Sequence, residues 1–294
     1  MAKYGILKAV EHSKTSAKFR KQYPTLGALE VAGWWLQRKY DGCFGMAVIR
    51  AAGGSQMLSR TFEDYTASCG HILDELREAA DNQSGGWDDF VVLGEVWHPD
   101  LSFPTISGKF RKRATSELGF MANDLLPPEL VTTAPYAERF ENLQALLPYM
   151  VGASTGVVET FGSYGWADAE HMARTWVAEG GYDGAILRDP NAPYTIEEAK
   201  AGQIVKVKPT LSLDLRVTGH SVEPGAKTGR AVVTLEVDYR GVKSWVGSGV
   251  PHDLRITEVH GRIVEVECLG LTEDGKLREP RFKGVRHDKL EPDT

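Results

Sequence analysis

At Pro209 the texture of the chain changes, and that change limits the possible fold more than any other feature. Before it, helical and strand-like segments interleave. After it come short alternating strands at 213–222, 231–239 and 262–269, separated by turns such as Glu223-Pro224-Gly225 and Glu273-Asp274-Gly275. A segment of this length and patterning predicts a small all-β barrel. A chain of 294 residues is long enough for two ordinary domains. The sequence therefore predicts an α+β class chain: a mixed domain over 1–209, then an all-β domain over 210–294.

Within the first domain, residues 1–30 hold one predicted helix near 15–22 and no motif. Strands flank Lys39 on both sides, and Met57-Leu58-Ser59-Arg60-Thr61 closes the hairpin. Tyr65, Cys69, Ile72, Leu73 and Leu76 recur at helical spacing and predict a helix over 63–80. The apolar run 90–93 predicts a buried strand that delivers Gly94-Glu95 at its end. Pro104, Gly108 and the basic cluster Lys109, Arg111, Lys112, Arg113 make 101–116 read as a surface loop. Strands follow at 119–126 and 182–188, with helices at 136–147 and 167–179 between them. In Ile204-Val205-Lys206-Val207-Lys208-Pro209, apolar residues alternate with lysine, so both amines share one face.

The residues with chemical potential lie at the ends of these elements. Lys39, in Lys39-Tyr40-Asp41-Gly42, is a single lysine between two strand-like runs, where a dry cleft can make its amine a nucleophile. Glu95 and Asp183 offer hard carboxylate oxygens suited to Mg²⁺ or ribose hydroxyls. Lys206 and Lys208 can neutralise charge growing on phosphoryl oxygens. A C-terminal run carries Arg278, Arg281, Lys283, Arg286, Asp288 and Lys289. The net charge of −6 excludes a generic polycationic nucleic-acid binder but not a focused basic cleft. Three scattered cysteines, and histidines without ligand spacing, argue against a disulfide framework or a zinc site. There is no apolar signal segment and no run of transmembrane length, so the expectation is a cytoplasmic protein without membrane contact.

In their order and spacing these segments resemble the six motifs of the covalent nucleotidyltransferase superfamily, and within it the small, bacteriophage-type ATP-dependent DNA ligases. Lys39-Tyr40-Asp41-Gly42 resembles the adenylation motif, Ser59-Arg60-Thr61 the second and Gly94-Glu95 the third. Asp183-Gly184-Ala185-Ile186-Leu187-Arg188 is similar to the fourth, Lys206-Val207-Lys208-Pro209 to the fifth, and the segment from Arg278 to Lys289 to the sixth. The resemblance spans roughly Trp34 to Lys289. It implies an ATP-grasp-like nucleotidyltransferase domain followed by an OB-fold, and an enzyme that seals 5′-phosphate/3′-hydroxyl nicks in duplex DNA through a lysyl-AMP. Lys39, Lys206, Lys208, Arg286, Asp288 and Lys289 would be catalytic. Gln37, Arg38, Arg60, Glu95, Phe120 and Asp183 would join the lysines in binding ATP, with Phe120 stacked on the adenine. Glu95 and Asp183 would hold Mg²⁺, for which Mn²⁺ can substitute. Arg60, Lys109, Arg111, Lys112 and Arg113 would contact DNA, and the enzyme is expected to be an intracellular monomer, phage-encoded or bacterial.

The chain departs from the pattern twice. Asp183 stands where DNA ligases usually have glutamate, and Phe44 where many have arginine. Asp183 keeps a capping guanylyltransferase or an RNA ligase as the alternative within the superfamily. A catalytically silent nucleic-acid-binding protein with an OB-fold is the alternative outside it; it predicts a lost nucleophile, yet Lys39 is present.

Overall fold

The computed structural model describes residues 6–83, 87–112, 117–146, 154–162, 166–196, 202–224, 231–272 and 274–293. The chain divides into two compact units, Met1–Lys208 and Pro209–Thr294.

The first unit holds two five-stranded sheets. One runs in the order Val10–Glu11, Ile204–Val207, Tyr182–Arg188, Trp35–Tyr40, Thr160–Phe161. The other runs Gln56–Leu58, Cys43–Ile49, Phe90–Trp97, Gly119–Leu126, Thr155–Val157. The two strands beside Lys39 therefore do not form a hairpin. Trp35–Tyr40 pairs with Tyr182–Arg188 in one sheet, and Cys43–Ile49 pairs with Phe90–Trp97 in the other. Only Asp41 and Gly42 carry the chain across. Gly42 is required there by space: a Cβ would lie 2.3 Å from the Val96 carbonyl oxygen and 2.9 Å from Glu95 Cγ. Met46, Val91, Leu93 and Leu126 of one sheet share an apolar cluster with Ile204 of the other, joined by Ile6 and Leu7.

Helices cover the outer faces. Thr66–Asp81 buries Cys69, Ile72, Leu73 and Leu76, the helical spacing read from sequence. Ala169–Glu179 buries Ala173 and Trp176 against Leu36, Leu187 and Val205.

Three segments differ from the sequence expectation. The stretch read as a surface loop contains a helix, Phe103–Arg111, because Pro104 lies in the first turn, where no hydrogen bond is lost. Ile106 and Phe110, four residues apart, are buried by it. A second N-terminal helix, Leu26–Val31, precedes the Lys39 strand, where the sequence predicted a single helix near 15–22. Glu95 lies inside the strand Phe90–Trp97 rather than at its end.

The second unit is one antiparallel sheet ordered Val242–Val246, Ala231–Tyr239, Leu211–Pro224, Ile263–Cys268, Arg281–Val285. A bridge between Ser248 and Arg281, with Phe282 N–H donating to Ser248 O at 2.8 Å, joins its two edges into a barrel. Leu215, Leu235, Val237, Val246, Val264 and Val266 fill the interior. The Val242–Val246 and Arg281–Val285 strands are absent from the sequence reading, which took the latter as part of a basic run. Its alternation sends Phe282 inward and leaves Arg281 and Lys283 outside.

Candidate active site

Lys39 is the penultimate residue of its strand, in register with Gly184 of Tyr182–Arg188. Its Nζ lies 2.7 Å from Asp183 Oδ2, and Lys208 Nζ reaches the same oxygen at 2.7 Å. Asp183 is 8 % exposed, so one buried carboxylate holds both lysines. Burial works to raise its pKa, but Lys39 and Lys208 outweigh burial and hold the carboxyl below its ordinary range. Lys206, on the neighbouring strand, is 4.0 Å from Glu11. Burial and then Lys208 push its pKa down, with Lys39 adding to the effect.

Gly184 makes this arrangement possible. Its φ is +126°, and a Cβ would sit 2.1 Å from the Val207 carbonyl oxygen. Only glycine lets the Lys208 strand approach Asp183 so closely.

Lys39, Lys206 and Lys208 line a cleft of about 250 Å³ with Gln37, Arg60, Glu95, Asn123 and Arg188, and with apolar walls from Leu7, Leu93, Ile186 and Ile204. Glu95 is half-buried. Its carboxyl is pushed up to about 7 by burial, against the opposing pull of Lys39 and Arg60. Among the described residues no ion-pair or hydrogen-bond partner holds Glu95. Phe44, where arginine was expected, lies 4.9 Å beneath the Arg60 guanidinium. The aromatic ring thus orients the cation that the turn Ser59-Arg60-Thr61 supplies past the strand Gln56–Leu58.

Two of the predicted nucleotide contacts are corrected. Phe120 is fully buried, with its ring against Gly45 and Gly94, where a Cβ would meet it at 3.1 and 2.5 Å. It belongs to the core and not to the cleft; Asn123, on the opposite face of the same strand, lines the cleft instead. Arg38 borders the cleft but turns its guanidinium to the far side. There it pairs with Glu159 and Glu179 at 2.5 Å each and packs over Trp176 and Tyr182. Glu179 is thereby engaged elsewhere, and Asp183 is the carboxylate at Lys39. Alternation along a strand explains the Arg38 correction, since Gln37 and Lys39 share a face that Arg38 does not.

Beside this cleft is a more open one of about 700 Å³, lined by Ser59, Arg60, Thr61, Phe103 and Arg111, with Glu95 common to both. Of the predicted DNA contacts, Arg60 and Arg111 face it. Lys109 is paired with Glu117 at 2.6 Å, Lys112 caps the Phe103–Arg111 helix, and Arg113 lies outside the described residues.

In the second unit, Arg286 and Lys289 converge on Asp214, at 2.7 and 2.5 Å. Asp288 pairs with Arg286 at 2.7 Å, which holds its carboxyl down at about 2. Asp214, buried on the strand Leu211–Pro224, was not singled out by sequence. Neither were Asn123 and Ile6 and Leu7, whose segment carries no motif.

The family model described as the ATP-dependent DNA ligase domain matches residues 16–208. This chain belongs to that family. Nick sealing through an adenylate is the family's general activity, with ATP as the source of a lysine-bound AMP. Among curated relatives, a DNA ligase of Haemophilus influenzae is 23 % identical over 267 residues, covering 88 % of each chain. A DNA ligase of Methanococcus maripaludis is 25 % identical over 271 residues, covering 80 % of this chain; the match spans only 45 % of that ligase's length. Among solved structures, a Lig E DNA ligase superposes with a TM-score of 0.70 at 19 % identity, covering 96 % of this chain and 99 % of the other. The ATP-dependent ligase of bacteriophage T7 superposes at 0.56 and 19 %, covering 97 % and 99 %. These likenesses show the fold, a nucleotidyltransferase domain with an OB-fold. Among the described residues no helix is long and apolar enough to cross a membrane.

Proposed function

We propose that this ligase seals 5′-phosphate/3′-hydroxyl nicks in duplex DNA, as an intracellular monomer, in three transfers of one adenylyl group. The observation that carries the reading is the pair of 2.7 Å contacts by which Asp183 holds Lys39 and Lys208 at one oxygen. The pairing fixes the Lys39 amine at the cleft floor, with cations placed for a phosphoryl group entering above it.

In the first transfer Lys39 gives up a proton to water and its neutral nitrogen attacks the ATP α-phosphorus. The N–P bond forms, the bond to the bridging oxygen breaks, pyrophosphate leaves with the electron pair, and the nitrogen loses its second proton to water. Lys206, Lys208 and Arg60 neutralise the oxygens on which charge accumulates. The AMP then passes to the 5′-phosphate of the nick, and attack by the 3′-hydroxyl on that activated phosphate releases it. Arg286, Asp288 and Lys289 serve the first transfer. Arg60 and Arg111 contact the DNA backbone in the open cleft.

The residues present fit a divalent ion bound with substrate. No group of three or more His, Cys, Asp or Glu side chains able to hold a metal occurs among the described residues. Glu95 nevertheless lines the cleft, and the Asp183 carboxylate lies 2.7 Å behind two of its lysines. Mg²⁺ commonly uses one or two carboxylates with water and substrate phosphates; Mn²⁺ accepts the same donors. The ion would supply charge neutralisation to the triphosphate.

The test is a pulse and chase. Protein labelled from radioactive ATP and Mg²⁺ is freed of ATP and given duplex DNA with one 5′-phosphorylated nick. Loss of label from protein with appearance of sealed strand is the expected result. Label that stays on the protein with DNA, but leaves it for a nicked RNA strand, would overturn the choice of DNA.

A further inference from the structure

A buried polar network beneath the cleft fixes the orientation of two carboxamides. Arg188, 8 % exposed, donates from Nε to Gln37 Oε1 at 2.9 Å and from Nη2 to Asn123 Oδ1 at 3.0 Å. Its Nη1 lies 3.4 Å from Asp124 Oδ2, and Arg139 grips the same carboxylate at 2.8 and 3.1 Å. Asp124 is 0 % exposed. The two arginines and one buried carboxylate leave the Arg188 guanidinium little freedom to turn.

A guanidinium has donors and no acceptor. Arg188 therefore decides which end of each amide faces it: both oxygens turn toward Arg188 and both NH₂ groups turn away. The two NH₂ groups then differ. That of Gln37 is used within the protein, donating to Tyr136 Oη at 2.7 Å and to Thr160 Oγ1 at 2.8 Å. That of Asn123 has no partner among the described residues, although Asn123 is half-buried and lines the cleft. A half-buried donor without a partner is stabilised by a ligand that brings an acceptor.

The position suits a base. Gln37 lies two residues from Lys39 on the same face of its strand, about 7 Å along it, a separation that a ribose bridges. Leu7, Leu93 and Ile186 supply apolar wall in the same cleft, while the cations Lys39, Arg60 and Lys208 suit phosphate. Adenine carries three ring nitrogens, N1, N3 and N7, that accept hydrogen bonds.

We propose that Asn123, its amide oriented by Arg188, reads the nucleotide base by donating from Nδ2 to an acceptor ring nitrogen of adenine. The proposal rests on the adenylation reading above and adds a specificity residue to it. Arg188, Asp124 and Arg139 are positioning residues that act through Asn123.

The experiment is single-turnover adenylation of the full chain with ATP and with its 1-deaza, 3-deaza and 7-deaza analogues, each lacking one ring acceptor. With the native protein one analogue is expected to lose about fivefold to tenfold in kcat/KM, the usual net value of one such bond. Asn123→Leu, close in shape but without the amide, is expected to lose a similar factor with ATP and nothing further with that same analogue. Asn123→Asp, which keeps an oxygen toward Arg188 but replaces the donor, is expected to be worse than Asn123→Leu with ATP. Native protein indifferent to all three analogues would overturn the proposal without recourse to any variant. So would an Asn123→Leu protein impaired by one common factor on ATP and all analogues. Failure of the native protein to take AMP from ATP would instead sink the adenylation reading itself.

Discussion

Glutamine in place of Glu95 should make the protein more stable at pH 8 while slowing its adenylation. The Glu95 carboxyl is raised from an ordinary 4.5 to about 7, chiefly by burial. The folded protein thus binds this proton more tightly than the unfolded chain does. Its stabilising contribution is fully present below about 4.5, declines through the interval, and is lost above about 7. At ~1.36 kcal/mol per pH unit, the interval corresponds to about 3 kcal/mol. Glu95→Gln cannot titrate, so its stability relative to native should rise by that amount between pH 4.5 and 8. Urea unfolding at a series of pH values measures it. Six of the seven tryptophans precede residue 209, so their emission reports on the first unit. The same ionisation should govern catalysis. At limiting Mg²⁺, adenylation by native protein should fall about tenfold per pH unit below 7 and level off above it, and Glu95→Gln should lack that limb. Parallel pH dependence of stability in native and Glu95→Gln proteins would refute the argument.

Gly184→Ala should cost about 1–3 kcal/mol for the strained backbone and lower adenylation by about a hundredfold, because displacing Val207 moves Lys208 off Asp183; thermal unfolding and single-turnover labelling separate the two effects. Gly108→Ala, in the middle of Phe103–Arg111 with nothing within 4 Å of the new Cβ, should instead stabilise by about 0.5–1 kcal/mol, read as a raised Tm. Phe120→Leu should lower stability by roughly 0.5–3 kcal/mol and leave KM for ATP unchanged, as a core residue would and a base-stacking residue would not.

Much of this architecture was legible because the relevant signals are local. The strands Gly119–Leu126 and Tyr182–Arg188 follow apolar runs bounded by glycine and proline, and both occupy the expected residues. The meeting of Lys39, Asp183 and Lys208 followed from motif order, which no pair of residues could have given alone. Where expectation failed, a residue type carried two meanings. Pro104 and Gly108 read as breakers, yet proline in a first turn and a glycine facing open space are both compatible with a helix. Arg281 and Lys283 read as a charged run because their inward partner, Phe282, is a single residue. Arg38 could have been placed correctly, since period-two alternation already separates it from Lys39. Phe120 and Asn123 could not, because which face of a doubly covered strand meets the cleft depends on pairing with distant residues. The buried Asp124–Arg139–Arg188 network joins three remote segments and leaves no local signature at all.

The central claim is that Lys39 is the nucleophile, and the most direct measurement is where AMP becomes attached. Native protein incubated with ATP and Mg²⁺, then digested and mapped by mass spectrometry, should carry AMP on the peptide containing Lys39, on the Lys39 nitrogen itself. Lys39→Ala, folded and still binding ATP, should carry none. AMP found on Lys206 or Lys208 in the native protein, or unchanged labelling of Lys39→Ala, would contradict the account.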